Sequence, residues 1–217
     1  AHEIRNPLTA IKGLVQLLAR GDRDERDRKR LDVVLAEVGR VEDTLGAYLS
    51  FARPLDELRP APIALAALLQ GLAVLLEARA AATGVRLHVD ADDAAIVGDP
   101  RRLQEALLNL ASNALEAMPA GGTLTLRAAR VGDGARLEVD DDGRGMAPEQ
   151  LARLGTPFVT TRPGGTGLGL ALARAVVAQH GGRMTHVSAP GRGTRVTLCM
   201  PGQPGGAPPD GEDPHRR

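Results

Sequence analysis

From residue 24 to 51 the apolar side chains fall at Leu31, Val34, Leu35, Val38, Val41, Leu45 and Leu49, in steps of three and four. That period predicts a long helix with one narrow apolar stripe. Upstream, Ile4, Leu8, Ile11, Val15 and Leu18 keep the same step over residues 1 to 20, a seam like that of a coiled coil. A polar break over residues 21 to 24 separates the two. Two helices with so short a connection form an antiparallel hairpin. A single hairpin cannot bury both stripes, so the pattern predicts a homodimer through residues 1–52, assembled as a four-helix bundle.

Arg53-Pro54 and the run Arg59-Pro60-Ala61-Pro62 break the helical pattern and read as a linker. The style then changes. Helices are predicted over residues 65–82, 100–118 and 168–179, and strands over 85–89, 123–129, 136–140, 184–188 and 194–200. Helices on one side of a mostly antiparallel sheet make this an α+β fold behind the hairpin. The expected organisation is a hairpin over 1–56, an α/β sandwich over 57–202 and a Gly/Pro-rich disordered tail over 203–217.

With only Tyr48, Phe51 and Phe158 as aromatics, the core must be built from Leu, Val, Ala and Ile. Formal net charge is zero, which argues against a nucleic-acid partner held through phosphate contacts. A lone Cys199 excludes an internal disulfide and a cysteine-based zinc site. No apolar run is expected to reach the roughly 20 residues of a membrane helix, and no signal peptide is visible. The abrupt start at Ala1 reads as a cut through a longer helix.

Chemistry-bearing residues cluster in four places. On a helical wheel of about 100° per residue His2 lies about 160° from the centre of the seam, on the outer face with Asn6 one turn on. Glu3 sits beside it, and a carboxylate next to an imidazole makes the ring more nucleophilic. On this stretch alone, a surface histidine at a helix end is an equal reading. Asn109 and Asn113 are four apart on one predicted helix face, and their amide oxygens suit Mg²⁺ that bridges phosphates. Asp141, Gly143 and Gly145 end a strand, where glycines let a flat ligand approach and an aspartate can accept from an exocyclic amine. No calcium-loop pattern continues beyond Met146-Ala147-Pro148. Finally Gly164-Gly165-Thr166-Gly167-Leu168-Gly169-Leu170 opens a helix, presenting free amides to phosphate. It lacks the lysine of a P-loop. The intervening stretch of roughly 20 residues, with Pro157, Phe158, Arg162 and Pro163, is longer than ordinary loops and reads as a lid.

In this order, to about Pro201, these motifs resemble the catalytic core of the bacterial sensor histidine kinases. His2-Glu3-Ile4-Arg5-Asn6-Pro7-Leu8 is similar to the family's phosphoacceptor box, in the form of its nitrogen-regulatory and sporulation branches. Asn109-Leu110-Ala111-Ser112-Asn113-Ala114 resembles its N box. Asp141-Asp142-Gly143-Arg144-Gly145 resembles the first glycine box and Pro157-Phe158-Val159-Thr160-Thr161-Arg162 the F box. Gly165-Thr166-Gly167-Leu168-Gly169-Leu170 resembles the second glycine box. Each motif is short; five in sequence are specific.

The resemblance implies a phosphotransfer hairpin ahead of an ATP-binding sandwich of the type shared with gyrase and MutL. It makes His2 the nucleophile toward the γ-phosphate of ATP and Glu3 the group that polarises it. Asn6 becomes the residue that orients water in dephosphorylating a regulator. Asn113 and Asn109 would hold Mg²⁺, and Asp141 would read the adenine amine. Gly143, Gly145, Phe158, Arg162, Gly165, Thr166, Gly167, Leu168 and Gly169 would complete the nucleotide site. The implied partner is the receiver domain of a response regulator, and the catalytic portion is expected in the cytoplasm. Arg162 departs from the more usual lysine but keeps the charge. Gyrase-like ATPases carry a glutamate where this chain has Asn109, which favours transfer over hydrolysis. A module that only dimerises and binds or dephosphorylates a regulator is the alternative of another class.

Overall fold

A computed structural model describes Ile11, Val15 and residues 25–52, 58–119, 121–156, 167–203, 205–206 and 208–209. His2, Glu3, Asn6, Phe158, Arg162, Gly165 and Thr166, and most of the first predicted helix, lie outside these residues.

Helix α1 runs over Glu25–Ala52. It opens on Glu25 and Asp27, whose charges suit the positive end of the helix dipole. Lys29–Glu25 at 2.8 Å and Arg30–Asp27 at 3.2 Å tie its first turns. Both pairs are exposed and contribute only about 0.3–0.5 kcal/mol each. Along the predicted stripe Leu31 and Leu35 are half-buried and Val38 is buried, whereas Val34 and Val41 are exposed. The stripe is therefore only partly covered by the described residues.

Strand β1 (Ala61–Ala64) pairs antiparallel with β3 (Ala95–Gly98) as a small separate sheet. The run read as a linker therefore ends inside a strand. Four residues with a proline give no usable alternation, which is why the period hid it. Pro62 faces Val97, whose N–H points away to the Gly202 carbonyl at 3.0 Å, so the proline's missing donor costs the ladder nothing.

The main sheet has the order β2-β4-β5-β7-β6, with β2 (Val85–Ala91), β4 (Gly122–Val131), β5 (Gly134–Asp141), β6 (Arg183–Ser188) and β7 (Thr194–Met200). Only the β2–β4 pairing is parallel. Helices α2 (Leu65–Thr83), α3 (Pro100–Ala117) and α5 (Gly169–Gln179) cover its inner face; the short α4 is Pro148–Ala152. As composition requires, the core between them is aliphatic: Leu69, Leu72, Leu76, Leu103, Leu107, Leu124, Leu126, Leu137 and Leu198 are all fully buried. Each such side chain contributes about 1.5–3 kcal/mol of burial.

α2, at 19 residues, is long and apolar enough by length and composition to cross a membrane, contrary to the sequence expectation. Its alanines supply that apolarity while Gln70, Glu77 and Arg79 interrupt the run. Its stripe of Leu65, Leu69, Leu72, Leu76 and Ala80 lies in the core.

Candidate nucleotide site

The site is built along α3, whose start fixes its placement. Asp99 caps the helix, its Oδ1 accepting from the Arg102 N–H at 3.1 Å, and Pro100 occupies the first turn where its missing N–H is harmless. Leu103, Ala106, Leu107, Leu110 and Ala114 bury one face of the helix. That sets Asn109 and Asn113 on its half-buried flank, one turn apart.

α5 packs against α3. A side chain added at Gly169 would place its Cβ 3.5 Å from Asn109 Oδ1. The first residue of α5 and the first asparagine are therefore neighbours. No side chain caps α5, and Leu168 at its N-cap is 1% exposed, anchored in the interior. A helix start without a side-chain cap is a place where backbone amides can meet an anion.

The glycine turn after β5 closes on the other end of α3. The Arg144 N–H donates to the Ala117 carbonyl at 3.1 Å. A Cβ at Gly143 would lie 2.7 Å from that same oxygen, so the close approach requires glycine. Gly145 adopts φ +63°, and any side chain there would strike the Ala189 carbonyl. Asn113 is one turn before Ala117, so Asp141, Asn113 and Asn109 follow one another along the same end of the sandwich.

Asp141 itself is 8% exposed. Its Oδ1 accepts from the Gly143 N–H at 3.0 Å and the Thr194 N–H at 3.2 Å. Burial pushes its pKa up, and the neighbouring Asp140 and Asp142 add to the rise, against the two amides that lower it. Both described bonds fall on one oxygen of a carboxylate that burial already strains, which is the electrostatic setting of a ligand-reading group.

Sequence reasoning missed the supports of this turn. Ser188 Oγ accepts from the Met146 N–H at 3.0 Å and donates to the Gly193 carbonyl at 2.8 Å. Gly193, at φ +70°, passes so close to Asp141 that a Cβ would strike its carbonyl. The turn at residues 190–193 was legible, but its contact with Asp141, some fifty residues away, has no local signal.

The donor set around the asparagines fits Mg²⁺ in kind. Amide oxygens are hard ligands, and no cluster of three His, Cys, Asp or Glu residues suited to a metal occurs among the described residues. Such a site depends on the phosphates for the rest of its ligands.

A helix-backed sheet whose glycine turns meet an asparagine-bearing helix at its middle and at its C-terminal end defines an ATP-binding sandwich. Residues 98–204 match the model described as "Histidine kinase-, DNA gyrase B-, and HSP90-like ATPase", and residues 1–57 match the "His Kinase A (phospho-acceptor) domain". The chain is 35% identical over 202 residues to Sensor protein DegM of Bacillus sp. (strain B21-2), covering 93% of this chain and 52% of that protein. It is 36% identical over 203 residues to Sporulation kinase A of Bacillus subtilis (strain 168), covering 93% and 33%. Full-length ShkA in complex with AMPPNP superposes with a TM-score of 0.79 at 30% identity, over 91% of this chain and 43% of that one. Histidine kinase ThkA in complex with response regulator protein TrrA gives 0.71 at 26%, over 94% and 60%. This chain belongs to the sensor histidine kinases, as their catalytic core. It spans about half or less of the length of these two curated relatives.

Proposed function

We propose that the chain is an ATP-dependent histidine kinase that phosphorylates His2 and passes the phosphoryl group to an aspartate of a response-regulator receiver domain. The observation that carries the reading is that Asn109, Asn113, the Asp141 turn and the glycine-opened start of α5 lie along the same stretch of α3. The phosphoacceptor match over residues 1–57 supports a histidine acceptor in that part of the chain. Residues 1–56 would form the dimeric phosphotransfer hairpin and 57–202 the ATP-binding domain, working in the cytoplasm.

In this reading Asp141 Oδ2, the oxygen its two backbone donors leave open, accepts from the adenine amine. Gly143 and Gly145 let the base approach. The amides of Gly167, Leu168 and Gly169, with those of Gly165 and Thr166, receive the phosphates, while Phe158 and Arg162 belong to the covering segment. Asn109 and Asn113 would hold Mg²⁺, which would neutralise phosphate charge. An imidazole nitrogen of His2 forms a bond to the γ-phosphorus as the bond to the bridging oxygen of ADP breaks, and the ring proton passes toward Glu3. Positioning and charge neutralisation are most of what such a transfer requires. In the next step the N–P bond breaks as the regulator's carboxylate oxygen bonds to phosphorus. Asn6 orients water for the opposing activity, in which water bonds to phosphorus as the regulator's acyl phosphate bond breaks and inorganic phosphate leaves.

Incubation with γ-labelled ATP and Mg²⁺ is expected to give an acid-labile, base-stable adduct. His2→Gln should abolish the label while ATP binding persists. Label retained in His2→Gln would sink the assignment of the acceptor.

A further inference from the structure

Two buried polar side chains sit at the opposite end of α3 from the glycine turn: Asp99 and His180, each 4% exposed. Asp99 holds three separate segments. Its Oδ1 caps α3 through Arg102. Its Oδ2 accepts from the Arg59 N–H at 3.2 Å, in the stretch that follows α1. Its own N–H donates to His180 Nε2 at 2.9 Å, just past the end of α5. His180 Nδ1 lies 2.7 Å from the Val176 carbonyl. A carbonyl only accepts, so Nδ1 carries the proton and Nε2 the lone pair that receives Asp99. The ring is wedged against Gly98, where a Cβ would lie 2.6 Å from it.

These contacts join α3 and α5 at a second point. One junction is Asn109 against Gly169, at the nucleotide; the other is Asp99 against His180, about 15 Å along α3 by helix rise. Among the described residues, the backbone of Arg59 reaches the second junction from the direction of the phosphoacceptor domain. Burial raises the Asp99 pKa, but the amides of Arg102 and Arg59 and the charge of Arg101 more than offset it, so the group is held as an anion. A charged acceptor makes a stronger hydrogen bond than a neutral one.

We propose that Asp99 is a positioning residue for phosphoryl transfer, its Oδ2 latching the segment after α1 to the two helices that flank the nucleotide. The inference rests on the kinase reading above. A latch of this kind limits how far the ATP domain can wander from the hairpin, and so raises the effective concentration of bound ATP at His2.

Two substitutions open the latch from opposite sides. Asp99→Asn keeps an Oδ1 for the cap, since asparagine caps as well as aspartate, but turns an amide NH₂ toward the Arg59 N–H. Arg59→Pro deletes the donor itself, at a position already extended because Pro60 follows. Each is expected to lower the rate constant for His2 phosphorylation in the 217-residue chain about tenfold, with KM for ATP unchanged within about twofold. The double variant should be no slower than either single one, because both remove the same bond. Additive losses, a matching rise in KM, unchanged rates, or faster phosphorylation in either variant would each overturn the latch. If the unaltered chain takes no label, the kinase reading fails and the latch with it. If it labels normally and both variants match it, the latch alone fails.

Discussion

Asp140 and Asp141 are consecutive in β5, and the strand turns their carboxylates to opposite faces of the sheet. On the outer face Asp140 Oδ2 receives Arg127 and Arg195, both at 2.9 Å. Burial alone would raise its pKa, but the hydrogen bonds from Arg195 and Arg127 outweigh it and hold it below the usual carboxylate range. On the inner face Asp141 has two backbone donors and no arginine among its described bonds, and its pKa is raised. One carboxylate is compensated by the fold; its neighbour is left partly uncompensated where a ligand would complete it. The contrast separates what stabilises the sheet from what the sheet is built to present.

The inner region should be the more fragile. Gly145→Ala puts a Cβ into the Ala189 carbonyl, a backbone atom that cannot move cheaply, and also strains φ +63°. Gly191→Ala has a similar φ of +71° with nothing within 4 Å, so it isolates the cost of the dihedral. Gly191→Ala is expected to cost about 1–2 kcal/mol. Gly145→Ala should cost about 3 kcal/mol or more, lowering Tm by about 6–12 °C for a chain of this size. Equal melting temperatures for the two variants would show that the inner turn is not tightly packed.

Next in size is Asp141→Asn. Asparagine keeps an Oδ1 for Gly143 and Thr194 but loses the charge that reads the amine. ATP affinity should fall about 10- to 100-fold by titration calorimetry, in line with about 1.5–3 kcal/mol for a charge-assisted hydrogen bond. Stability should move the other way. A carboxylic acid whose folded pKa is raised destabilises the fold when ionised, and regains that stability as pH falls through the folded value. The amide removes the penalty at neutral pH, so the ligand-free Tm should rise. A lower Tm would mean that Asp141 serves the fold, and the contrast with Asp140 would collapse.

Much of this was legible in the sequence because it is periodic or local. The stripe through Leu31, Leu35 and Val38 gave α1, the asparagine pair gave one face of α3, and the glycine spacing gave the turn after Asp141. What was not legible depends on contacts between distant segments. β1 is too short and too proline-rich to show a period. Ser188 and Gly193 look like ordinary strand-end residues until they are seen beneath the Asp141 turn. His180 follows the end of α5 before Gly181-Gly182, and nothing nearby indicates that its Nε2 accepts from the Asp99 amide.

The outer face should respond least. Asp140, Arg127 and Arg195 are partly exposed, with side chains 22, 36 and 52% accessible, so water screens much of their attraction. Arg195→Met leaves Arg127 in place and should cost only about 0.5 kcal/mol at pH 7, read as a small shift in the urea midpoint. Its pH dependence carries the sharper information. The folded pKa of Asp140 is depressed, so its contribution is complete above the ordinary carboxylate value of about 3.9 and is lost as pH falls below it through the folded value. Removing Arg195 brings the folded value back toward the unfolded one, so the gap between the original chain and the variant should close as the pH falls below about 4. A gap that persists undiminished to acid pH would assign the effect to the methylene packing of Arg195 on the sheet, and the outer carboxylate would no longer count as compensated by charge.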